Sequence, residues 1–539
     1  MAAQCHLPEL VVHLLANRGI SPGHMDGFLK CDETLMSDPY LLKDMDRAID
    51  RLKRAVNNKE RILIFGDYDV DGVTSVAMLS RFLTGTGTQH MRMLPQRHVH
   101  GYDFSEYAYN EVISKDVDLV ICLDCGSNSA ALKKVPGRNI DVIVIDHHEV
   151  DAVIDDFILV NPKRPDSVSP FRGLSTGALI FKFLSAYLER PAYEYVDLAA
   201  LSIVCDVAPL IAENRFIVRK GLDKIRSGTY PGLQALMDCV KVRNAYIDTF
   251  HIGWKIGPRL NAAGRICRAD LSLDLLMCDD YKKGMAIAAE IERINKQRKM
   301  LSDDMRDKAI DQVESNGRQN DFVQVLSGEG WNQGVVGIVA SNIKERYYRP
   351  AIVFSLEEGV GRGSGRSIYG FNILAALEHC SDLLVNFGGH ERACGVEIKE
   401  DDLELFRERI NNYARDHLAD DDFQPVIYVD AQISFSALTE SLVGYLSSFA
   451  PFGEANPEPV FATYNVRYVG VTDASYGWKM LWFEHSGAGG SCRLAAKVYK
   501  TDKRISQISK GTSYNIAYTV NYDPRNHHAP VSIKLKDIV

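Results

Sequence analysis

The feature that most constrains the fold is a series of short apolar runs, each of which ends in ionisable residues. Between residues 61 and 150 the segments RILIF, VDLVICL and DVIVI alternate with helical patterns such as VTSVAMLSRFL. Short buried strands that alternate with helices are typical of a parallel sheet built from βαβ units. The sequence therefore predicts an α/β domain with a parallel sheet in this region.

The ends of these runs carry carboxylates and imidazoles. A fourth run, DLAALSIVC, is interpreted as a further strand of the same kind. In chain order, the four runs end in Asp67, Asp69 and Asp71, in Asp124, in Asp146, His147 and His148, and in Asp206. Because ligands bind outside the carboxyl ends of parallel strands, these groups are expected to meet in one crevice. One such Asp would be an ordinary turn residue, but this many carboxylates would repel one another without cations.

The ligand types indicate which metal ions the crevice would hold. Carboxylates with one or two imidazoles and without thiolates favour Mn²⁺ or Mg²⁺ over structural zinc. The spacing of Asp69 and Asp71 can direct two carboxylates toward two ions about 3.5–4 Å apart, with Asp124 between them. Two such ions acidify a water and stabilise a leaving oxygen, which is the chemistry of phosphoester hydrolysis. A P-loop motor is not indicated, because the sequence contains no GxxxxGK[ST] segment.

The rest of the chain predicts further domains. A chain of 539 residues is expected to form about three domains in total. We predict an N-terminal helical segment (1–45), the α/β domain (46–278), a long charged connector helix (279–320), a smaller α/β domain (321–424) and a β-rich segment (425–539). The short strands of the last segment, separated by Gly, Asn and Pro, favour a small barrel or sandwich.

Charge and cysteine content limit the possible partners and compartment. The net charge is −9, but residues 425–539 carry +2 and residues 1–424 carry −11. Bound cations would reverse the electric field of the acidic crevice, so a phosphate substrate is compatible with this net charge. The net charge does not favour a protein that coats duplex DNA by charge alone. The eleven scattered cysteines favour free thiols in a reducing cytoplasm, and the CxxC of Cys122 and Cys125 lies in a strand-like run. Neither a signal peptide nor a membrane span is expected.

Several motifs, in order, carry a resemblance to a known superfamily. FGDYDVDGVTS, LDCGSN, VIDHHE, LSIVCDVAPL and GGHERACG resemble the successive motifs of the DHH phosphoesterase superfamily. WKIGPRLNAAGRI, GVVGIVASNIKERYYRPAIVFS and GSGRSIYGFNI resemble its RecJ branch, which comprises single-strand-specific 5′→3′ DNA exonucleases. The resemblance implies a parallel-sheet DHH domain, a connector helix, a DHH-associated α/β domain and an OB-fold barrel. It also implies two-metal hydrolysis of single-stranded DNA to 5′-mononucleotides in DNA repair and recombination.

Carried over position by position, the resemblance implies a set of metal ligands and a set of neighbours. The implied ligands are Asp69, Asp71, Asp124, His147 and Asp206. Asp67 and His148 would lie at or beside the ligands, and His390 of the GGH motif would contact the scissile phosphate. In the preferred arrangement Asp124 bridges two ions, with Asp71, His147 and Asp206 on one ion and Asp69 on the other.

A second set of residues is expected to hold the strand, because planar guanidiniums match phosphate oxygens. The predicted substrate-binding residues are Arg97, Arg259, Asn261, Arg265, Ser364, Arg366, Ser367, Gly388 and Gly389. GSGRS is interpreted as a glycine-loosened cup for a terminal phosphate, which the resemblance implies to be the 5′ phosphate, with Arg97 contributing. Asn332 stands where related sequences often have His, so an amide replaces an imidazole there.

The C-terminal segment resembles the OB-fold of the RecJ branch, in which aromatic and basic side chains bind single strands. The candidates are Trp478, Lys479, Trp482, Lys497, Tyr514 and Tyr518, and about half of the aromatic ones are expected to be barrel core. Single-stranded DNA is the implied partner, with single-strand-binding protein or a helicase beside it, and the chain is expected to be a monomer.

Two alternatives compete with this interpretation. The first is a DHH enzyme that acts on small substrates, as nanoRNases and nucleotide phosphatases do. The NAAGR segment and the trailing barrel argue against it. The second is a catalytically silent DHH relative that serves as a replication-fork scaffold, and the complete set of ligand residues argues against that.

Overall fold

The structure is a computed structural model that describes residues 6–95, 103–150, 152, 154–474, 477–487, 490–522 and 530–539. The chain divides into two compact units. The first comprises Met1–Gly257, Leu276–Tyr281 and Ile427–Val539, and the second comprises Pro258–Leu275 and Lys282–Val426. Among the helices of the described residues, none has both the length and the apolar character needed to cross a bilayer.

The first unit contains a parallel sheet with the strand order β2-β1-β3-β4-β5. Its strands are β1 (Ile62–Gly66), β2 (His90–Met93), β3 (Leu119–Leu123), β4 (Asp141–Ile145) and β5 (Ile158–Val160). Every residue of β1 and β3 is buried, which explains why these strands have the continuous apolar sequence of a sheet covered on both faces. The predicted parallel α/β domain is confirmed.

Helices cover this sheet and extend beyond it. The helices of the first unit, in chain order, are α1 (Glu9–Asn17), α2 (Met25–Lys30), α3 (Met45–Asn58), α4 (Val70–Gly85), α5 (Glu106–Ile113), α6 (Thr176–Leu188), α7 (Val196–Cys205), α8 (Ala212–Ser227), α9 (Pro231–Cys239) and α10 (Thr249–His251). A π-helical turn (Ile252–Ile256) continues α10 into α11 (Gly257–Ile266), and the boundary between the two units falls at the start of α11.

The second unit is built on a mixed sheet with the strand order β6-β7-β8-β10-β9. Its strands are β6 (Gln324–Glu329), β7 (Ala351–Glu357), β8 (Val360–Arg366), β9 (Leu384–His390) and β10 (Ala393–Lys399). The following helices are α12 (Asp270–Met277), α13 (Tyr281–Ser315), α14 (Val336–Tyr347), α15 (Ile373–His379) and α16 (Leu403–His417). Helix α13 is 35 residues long, which confirms the long connector helix. The domain limits drawn from the sequence remain predictions.

The C-terminal strands close into a barrel. They are β11 (Ala431–Gln432), β12 (Phe461–Asp473), β13 (Trp478–Gly487), β14 (Gly490–Tyr499), β15 (Ser513–Tyr522) and β16 (Val531–Ile538), with helices α17 (Glu440–Ser447) and α18 (Arg504–Gln507). The order β12-β13-β14-β16-β15 is closed by pairing of β12 with β15, so these strands leave no free edge in the ring. The expected barrel is therefore confirmed.

The N-terminal helices do not form a separate core. Val12 and Leu15 of α1 are buried in one hydrophobic cluster with Leu442 and Phe449 of the C-terminal region. An amphipathic helix as short as α1 needs tertiary packing for stability, and the barrel region provides it.

The aromatic candidates of the barrel separate into core and surface residues. Tyr518 is buried, and its hydroxyl lies 2.8 Å from Oγ1 of Thr463. Trp478 is partly exposed, and the Nζ of Lys497 lies 4.6 Å from the centre of its ring. Tyr518 is thus core, whereas Trp478 and Lys497 form a surface pair suited to a base and a phosphate.

Candidate metal centre

The loop after β1 positions two carboxylates through the start of α4. Asp69 caps this helix, because its Oδ1 accepts hydrogen bonds from the N–H groups of Asp71 (2.8 Å) and Gly72 (3.2 Å). Gly72 is required here, since a Cβ would lie 2.4 Å from the carbonyl oxygen of Asp67. The DYDVDG segment therefore fixes both aspartates through backbone contacts.

Asp71 is held by partners from two other helices. Its side chain is 1% exposed, and Oδ1 accepts hydrogen bonds from the N–H of Gly177 (2.8 Å) and the hydroxyl of Ser202 (2.6 Å). Its Oδ2 accepts a further bond from the N–H of Thr176 (2.9 Å). Free amide donors at the start of a helix favour a carboxylate, so α6 orients Asp71. None of these three residues is among the predicted site residues; the capping pattern STGA before an apolar helix is a sequence signal for Thr176 and Gly177, whereas Ser202 has none.

Asp124 directly follows β3 in an uncommon backbone conformation. Its φ is +63°, which is the left-handed region, and its side chain is 2% exposed. The hydroxyl of Thr176 donates to its Oδ1 at 3.1 Å. A non-glycine residue in this region costs free energy, and such residues cluster at functional sites. The backbone conformation of Asp124 is therefore consistent with a functional role.

Three ionisable residues follow β4: Asp146, which orients its neighbours, and His147 and His148, which present imidazoles. Asp146 is buried, and its Oδ1 accepts hydrogen bonds from the N–H groups of His147 (2.7 Å) and His148 (3.2 Å) and lies 2.7 Å from Nδ1 of His148. Burial lowers the pKa of His148, but the hydrogen bond to Asp146 and the negative charges of Asp146, Asp206 and Asp67 together outweigh it and raise the pKa to about 9. His148 is therefore an imidazolium at neutral pH, and Asp146 is the residue that orients it.

The interpretation of DLAALSIVC as a strand is wrong. Residues Val196–Cys205 form helix α7, and Asp206 is the residue that ends it. The run is buried on every side from Val196 to Ile203, so its sequence shows no polar face and resembles a buried strand. Its Ala and Leu residues favour a helix, as its length does.

Three of the predicted carboxylates converge around one predicted imidazole. Nε2 of His147 lies 3.3 Å from Oδ1 of Asp124 and 3.7 Å from Oδ2 of Asp71. Nδ1 of His147 lies 3.7 Å from Oδ2 of Asp206. We call His147, Asp71, Asp124 and Asp206 the His147 cluster. Asp71, Asp124 and His147 therefore meet at the carboxyl edge of the sheet, as the strand-end argument predicts, and Asp206 joins them from the end of a helix.

The ligand atoms of the crevice form groups of the size that a metal ion needs. Within each group the atoms lie within 4.8 Å of one another, and the groups are Asp71, His147 and Asp206; Asp67, Asp69 and Asp124; and Asp124, His147 and His148. The first two groups share no residue. Two neighbouring ions could therefore each have a carboxylate-rich set of ligands.

Negative charge accumulates in this crevice. Burial raises the pKa of Asp124 well above its ordinary value, and the charge of Asp71 raises it further. Burial also raises the pKa of Asp206, again together with the charge of Asp71. Buried carboxylates of like charge are stabilised by bound cations, so the electrostatics fit divalent ions.

The donor types also fit Mn²⁺ or Mg²⁺. Burial lowers the pKa of His147, which favours the neutral imidazole that can bind a metal. Burial raises the pKa of the thiols of Cys122, Cys125 and Cys205, so these groups stay protonated and are poor ligands. Oxygen and imidazole donors without thiolates suit Mn²⁺ and Mg²⁺.

In the second unit, the NAAGR residues lie on α11. Asn261 and Arg265 are four residues apart and share one helix face, whereas Arg259 lies on another face. Arg259 forms an ion pair with Glu292 at 2.7 Å. Only Asn261 and Arg265 are therefore placed side by side, and the substrate role predicted for all three remains a prediction.

The GSGRS segment is a strand rather than a loosened cup. Strand β8 runs to Arg366, whose NH1 donates to the hydroxyl of Ser364 at 2.8 Å. A Cβ at Gly337 of α14 would lie 3.0 Å from this guanidinium, so the small residue makes room for it. Ser367 is buried, and its hydroxyl donates to the carbonyl of Phe371 at 2.7 Å, which indicates a structural role.

The remaining predicted residues lie at the end of β9 or outside the described part of the chain. Gly388, Gly389 and His390 form the exposed end of β9, and a Cβ at Gly389 would lie 2.3 Å from the carbonyl oxygen of Ala393. The expected contact of His390 with the scissile phosphate remains a prediction. Arg97 lies outside the described residues.

Asn332 has a local role in the structure. Its Oδ1 accepts a hydrogen bond from the N–H of Gly334 at 2.9 Å, in the turn that precedes α14. The amide of Asn332 therefore stabilises this turn, as Asn side chains commonly do.

Three family models match the chain in succession. The model of the DHH family, N-terminal domain, matches residues 61–203, that of the DHHA1 domain matches residues 320–416, and that of the RecJ OB domain matches residues 429–537. A crystal structure of RecJ in complex with Mn²⁺ from Thermus thermophilus is similar over 100% of this chain and 77% of that chain, with 26% identity and a TM-score of 0.83. A structure of an exonuclease RecJ bound to manganese is 31% identical, with a TM-score of 0.60 over 71% of this chain and 96% of that one.

Curated relatives are similar over most of this chain. The single-stranded-DNA-specific exonuclease RecJ of Bacillus subtilis (strain 168) is 37% identical over 85% of this chain, which spans 59% of that protein's length. The protein of the same name from Dickeya dadantii (strain 3937) is 32% identical over 96% of this chain and 93% of its own length. With the DHH, DHHA1 and OB domains in this order, the chain belongs to the RecJ family of DHH proteins.

Proposed function

We propose that this chain is a 5′→3′ exonuclease specific for single-stranded DNA that hydrolyses phosphodiesters to 5′-mononucleotides in DNA repair and recombination. The observation that carries the proposal is the convergence of Asp71, Asp124 and Asp206 on His147. Relatives that are named as single-stranded-DNA-specific exonucleases support the substrate. The closed C-terminal barrel supports a long strand rather than a dinucleotide as substrate, because such barrels provide a binding track.

We assign the metal ligands from the motif resemblance together with the ligand groups of the crevice. Asp71, His147 and Asp206 would hold one divalent ion, Asp69 would hold the other, and Asp124 would bridge them. When bound, two such ions activate a water for attack on phosphorus and stabilise the leaving oxygen. The hydrogen bonds to Asp71 from α6 and from Ser202 keep that carboxylate in place.

His148 contributes charge rather than ligation in this proposal. Its contact with Asp146 keeps it protonated, and its raised pKa of about 9 maintains this state above neutral pH. An imidazolium beside the ligands can donate a hydrogen bond to a phosphate oxygen and offset its growing negative charge. Asp67 lies among the same carboxylates and would orient neighbouring groups at or beside the ligands.

Ser364 and Arg366 would recognise the 5′ phosphate. The hydroxyl of Ser364 accepts a hydrogen bond from NH1 of Arg366 and donates one to the carbonyl of Cys394, so Ser364 orients the guanidinium that would bind the phosphate. A terminal phosphate carries more charge than an internal diester, and a planar guanidinium can bind two of its oxygens.

Replacement of Arg366 with Ala should therefore reduce the preference for 5′-phosphorylated over 5′-hydroxyl strands by roughly 10- to 100-fold, the range of a charge-assisted hydrogen bond. The measurement is the ratio of kcat/KM for the two strands. Arg362→Ala is the matched control, because Arg362 is an exposed arginine of the same strand that pairs with Glu397. An unchanged preference in the Arg366 variant would place the end pocket elsewhere.

The function itself is tested by digestion of one long single strand, labelled separately at each end, with Mn²⁺, with Mg²⁺ and with EDTA. We expect early release of the 5′ label as a mononucleotide, late release of the 3′ label, and no release in EDTA. Early release of the 3′ label, or equal cleavage of duplex DNA, would contradict the proposal.

The partners and compartment are part of the proposal. We propose that the enzyme works as a monomer in the cytoplasm and meets its strand together with single-strand-binding protein or a helicase. An enzyme that needs unpaired DNA depends on proteins that open the duplex or keep the strand unpaired.

A further inference from the structure

A fifth strand of the parallel sheet, β5, ends at the same edge as the strands that carry the proposed metal ligands. It pairs in parallel with β4, with Val160 opposite Ile145, and it is followed by the segment Asn161–Lys163. Neighbouring strands lie about 4.8 Å apart, so this segment leaves the sheet beside the two histidines that follow β4. Residues at this edge are in a position to reach a bound ligand.

Asn161 joins the loops that follow β3 and β4. It is 0% exposed, and its Nδ2 donates to the hydroxyl of Ser127 (3.0 Å) and to the carbonyl oxygen of His148 (2.9 Å). A buried amide whose hydrogen bonds are made holds its neighbours in place. The end of β5 is therefore fixed relative to the loops that carry Asp124 and His147.

The backbone of Lys163 is anchored on both sides. Its N–H donates to Oδ1 of Asn161 at 2.8 Å, which closes a short turn of the kind that Asn commonly stabilises. Its carbonyl oxygen accepts a hydrogen bond from Nη2 of Arg172 at 2.7 Å. The Lys163 side chain therefore starts from a defined position at this edge of the sheet.

The ammonium of Lys163 lies at the border of the acidic crevice. Its side chain is 24% exposed, and Nζ lies 3.2 Å from Oε1 of Glu149, whose side chain is 60% exposed. Burial has the largest effect on the pKa of His147 and on that of Asp206, and the positive charge of Lys163 contributes to lowering both. Nζ is therefore close enough to two proposed metal ligands for its charge to act on them.

The pairing of Lys163 with Glu149 is easily exchanged. An ion pair with an exposed carboxylate is weak, because water screens the charges and both side chains lose freedom. A hydrogen bond between an ammonium and a phosphate oxygen is stronger, and the four-carbon stem of Lys lets the ammonium move to such a partner. A phosphate bound in the crevice would therefore compete well with Glu149.

We propose that Lys163 is a catalytic residue that leaves Glu149 when the strand binds and donates a hydrogen bond to a non-bridging oxygen of the scissile phosphate. This inference rests on the proposed exonuclease function and adds a cation that the protein itself supplies. The ammonium offsets the negative charge that grows on the phosphate oxygens during the displacement. Asn161 is the positioning residue that keeps the turn of Lys163 next to the loops of the site.

Replacement of Lys163 with Met removes the charge and keeps an unbranched side chain. With Mn²⁺ and a 5′-phosphorylated single strand, kcat should fall roughly 10- to 100-fold, the range of a charge-assisted hydrogen bond, while KM changes by less than about 3-fold. Lys163→Arg keeps the charge and should recover most of the loss. Lys115→Met is the matched control, because Lys115 pairs with Glu111 at 3.7 Å but precedes β3 at the opposite edge of the sheet. It should leave kcat unchanged.

Glu149→Gln separates a catalytic lysine from a structural ion pair. If the ammonium leaves Glu149 for the phosphate, this variant removes a competitor and should keep kcat/KM or raise it by up to about 5-fold, the worth of an exposed ion pair. A pair that only stabilises the loop would make Lys163→Met and Glu149→Gln lose activity to the same extent. Thermal melting of each variant checks that it is folded.

Two measurements without cleavage keep this inference separate from the exonuclease function. Electron paramagnetic resonance of free Mn²⁺ should show that Lys163→Met binds the ion roughly 2- to 10-fold more tightly than the wild type, because a repelling charge near Asp206 is gone. Titration of the Mn²⁺-loaded protein with inorganic phosphate should show binding weakened roughly 10-fold in Lys163→Met and not weakened in Glu149→Gln.

The outcomes are distinguishable. A wild-type protein that cleaves no DNA but shows the expected dependence of Mn²⁺ and phosphate binding on Lys163 would reject the exonuclease function and keep the phosphate contact. Unchanged Mn²⁺ and phosphate affinities in Lys163→Met, an unchanged kcat in that variant, or equal losses in Lys163→Met and Glu149→Gln would overturn the inference.

Discussion

Replacement of Asp124 with Ala is expected to abolish strand cleavage with Mn²⁺, with a loss of roughly 10³-fold or more in kcat, while binding of the strand remains measurable. Asp124 lies 3.3 Å from His147, and its carboxylate is buried among Asp71, Asp69, Asp67 and Asp206. It belongs to two of the three ligand groups, so its removal affects both proposed ions. Single-turnover cleavage measures the loss of catalysis, and anisotropy with a labelled strand measures the binding that remains.

Asp156→Ala is the matched control for this variant. Asp156 is an exposed carboxylate just before β5, near the amino end of the strand rather than its carboxyl end. The Asp156→Ala variant should cleave the strand like the wild-type protein. Retained turnover in the Asp124 variant would reject the bridging role, and loss of activity in both variants would point to a general effect of charge.

Replacement of Arg215 with Met is expected to lower the free energy of unfolding by about 3–5 kcal/mol, the sum expected for several unpaired buried acceptors. Arg215 is 0% exposed and donates to the carbonyl oxygens of Phe449 (2.6 Å), Ser448 (2.8 Å) and Phe28 (3.3 Å). One side chain of α8 therefore connects the α/β domain with the barrel region and α2. Burial lowers its pKa to about 10, so it remains charged at neutral pH.

Urea unfolding followed by tryptophan fluorescence measures the effect as a shift of the midpoint, because a chain with two units need not unfold in one step. Lys220→Met is the control, since Lys220 is exposed on the same helix and should change stability by less than about 0.5 kcal/mol. Equal stability of the two variants would show that the buried guanidinium does not hold these parts together. Truncation of residues 425–539 is a poorer experiment, because it would expose the core that α1 shares with the barrel.

The parts of the site that lie at strand ends could be predicted from the sequence. The apolar runs that became β1, β3 and β4 are short and bounded by turn residues, so their ends were well defined. The parallel arrangement then placed Asp71, Asp124 and His147 at one edge. The strand-end argument placed Asp206 in the same crevice on the wrong premise that its run is a strand, whereas the motif resemblance implied the same position without depending on the type of element.

Other parts could not be predicted because they depend on packing between distant segments. Nothing in the sequence around Ser202 shows that its hydroxyl reaches Asp71. Asp146 has the same chemistry as the other aspartates, and only the fold shows that it binds the backbone and His148. Arg259 and Ser367 were predicted to bind substrate, but the structure pairs one with Glu292 and directs the other to a carbonyl oxygen.

The central claim is that these side chains form one pocket for a pair of cations. Anomalous diffraction from crystals grown with Mn²⁺ tests it most directly. We expect two peaks about 3.5–4 Å apart, with Asp124 touching both and Asp71, His147 and Asp206 around one of them. No peak at the His147 cluster, or manganese bound only elsewhere, would contradict the account.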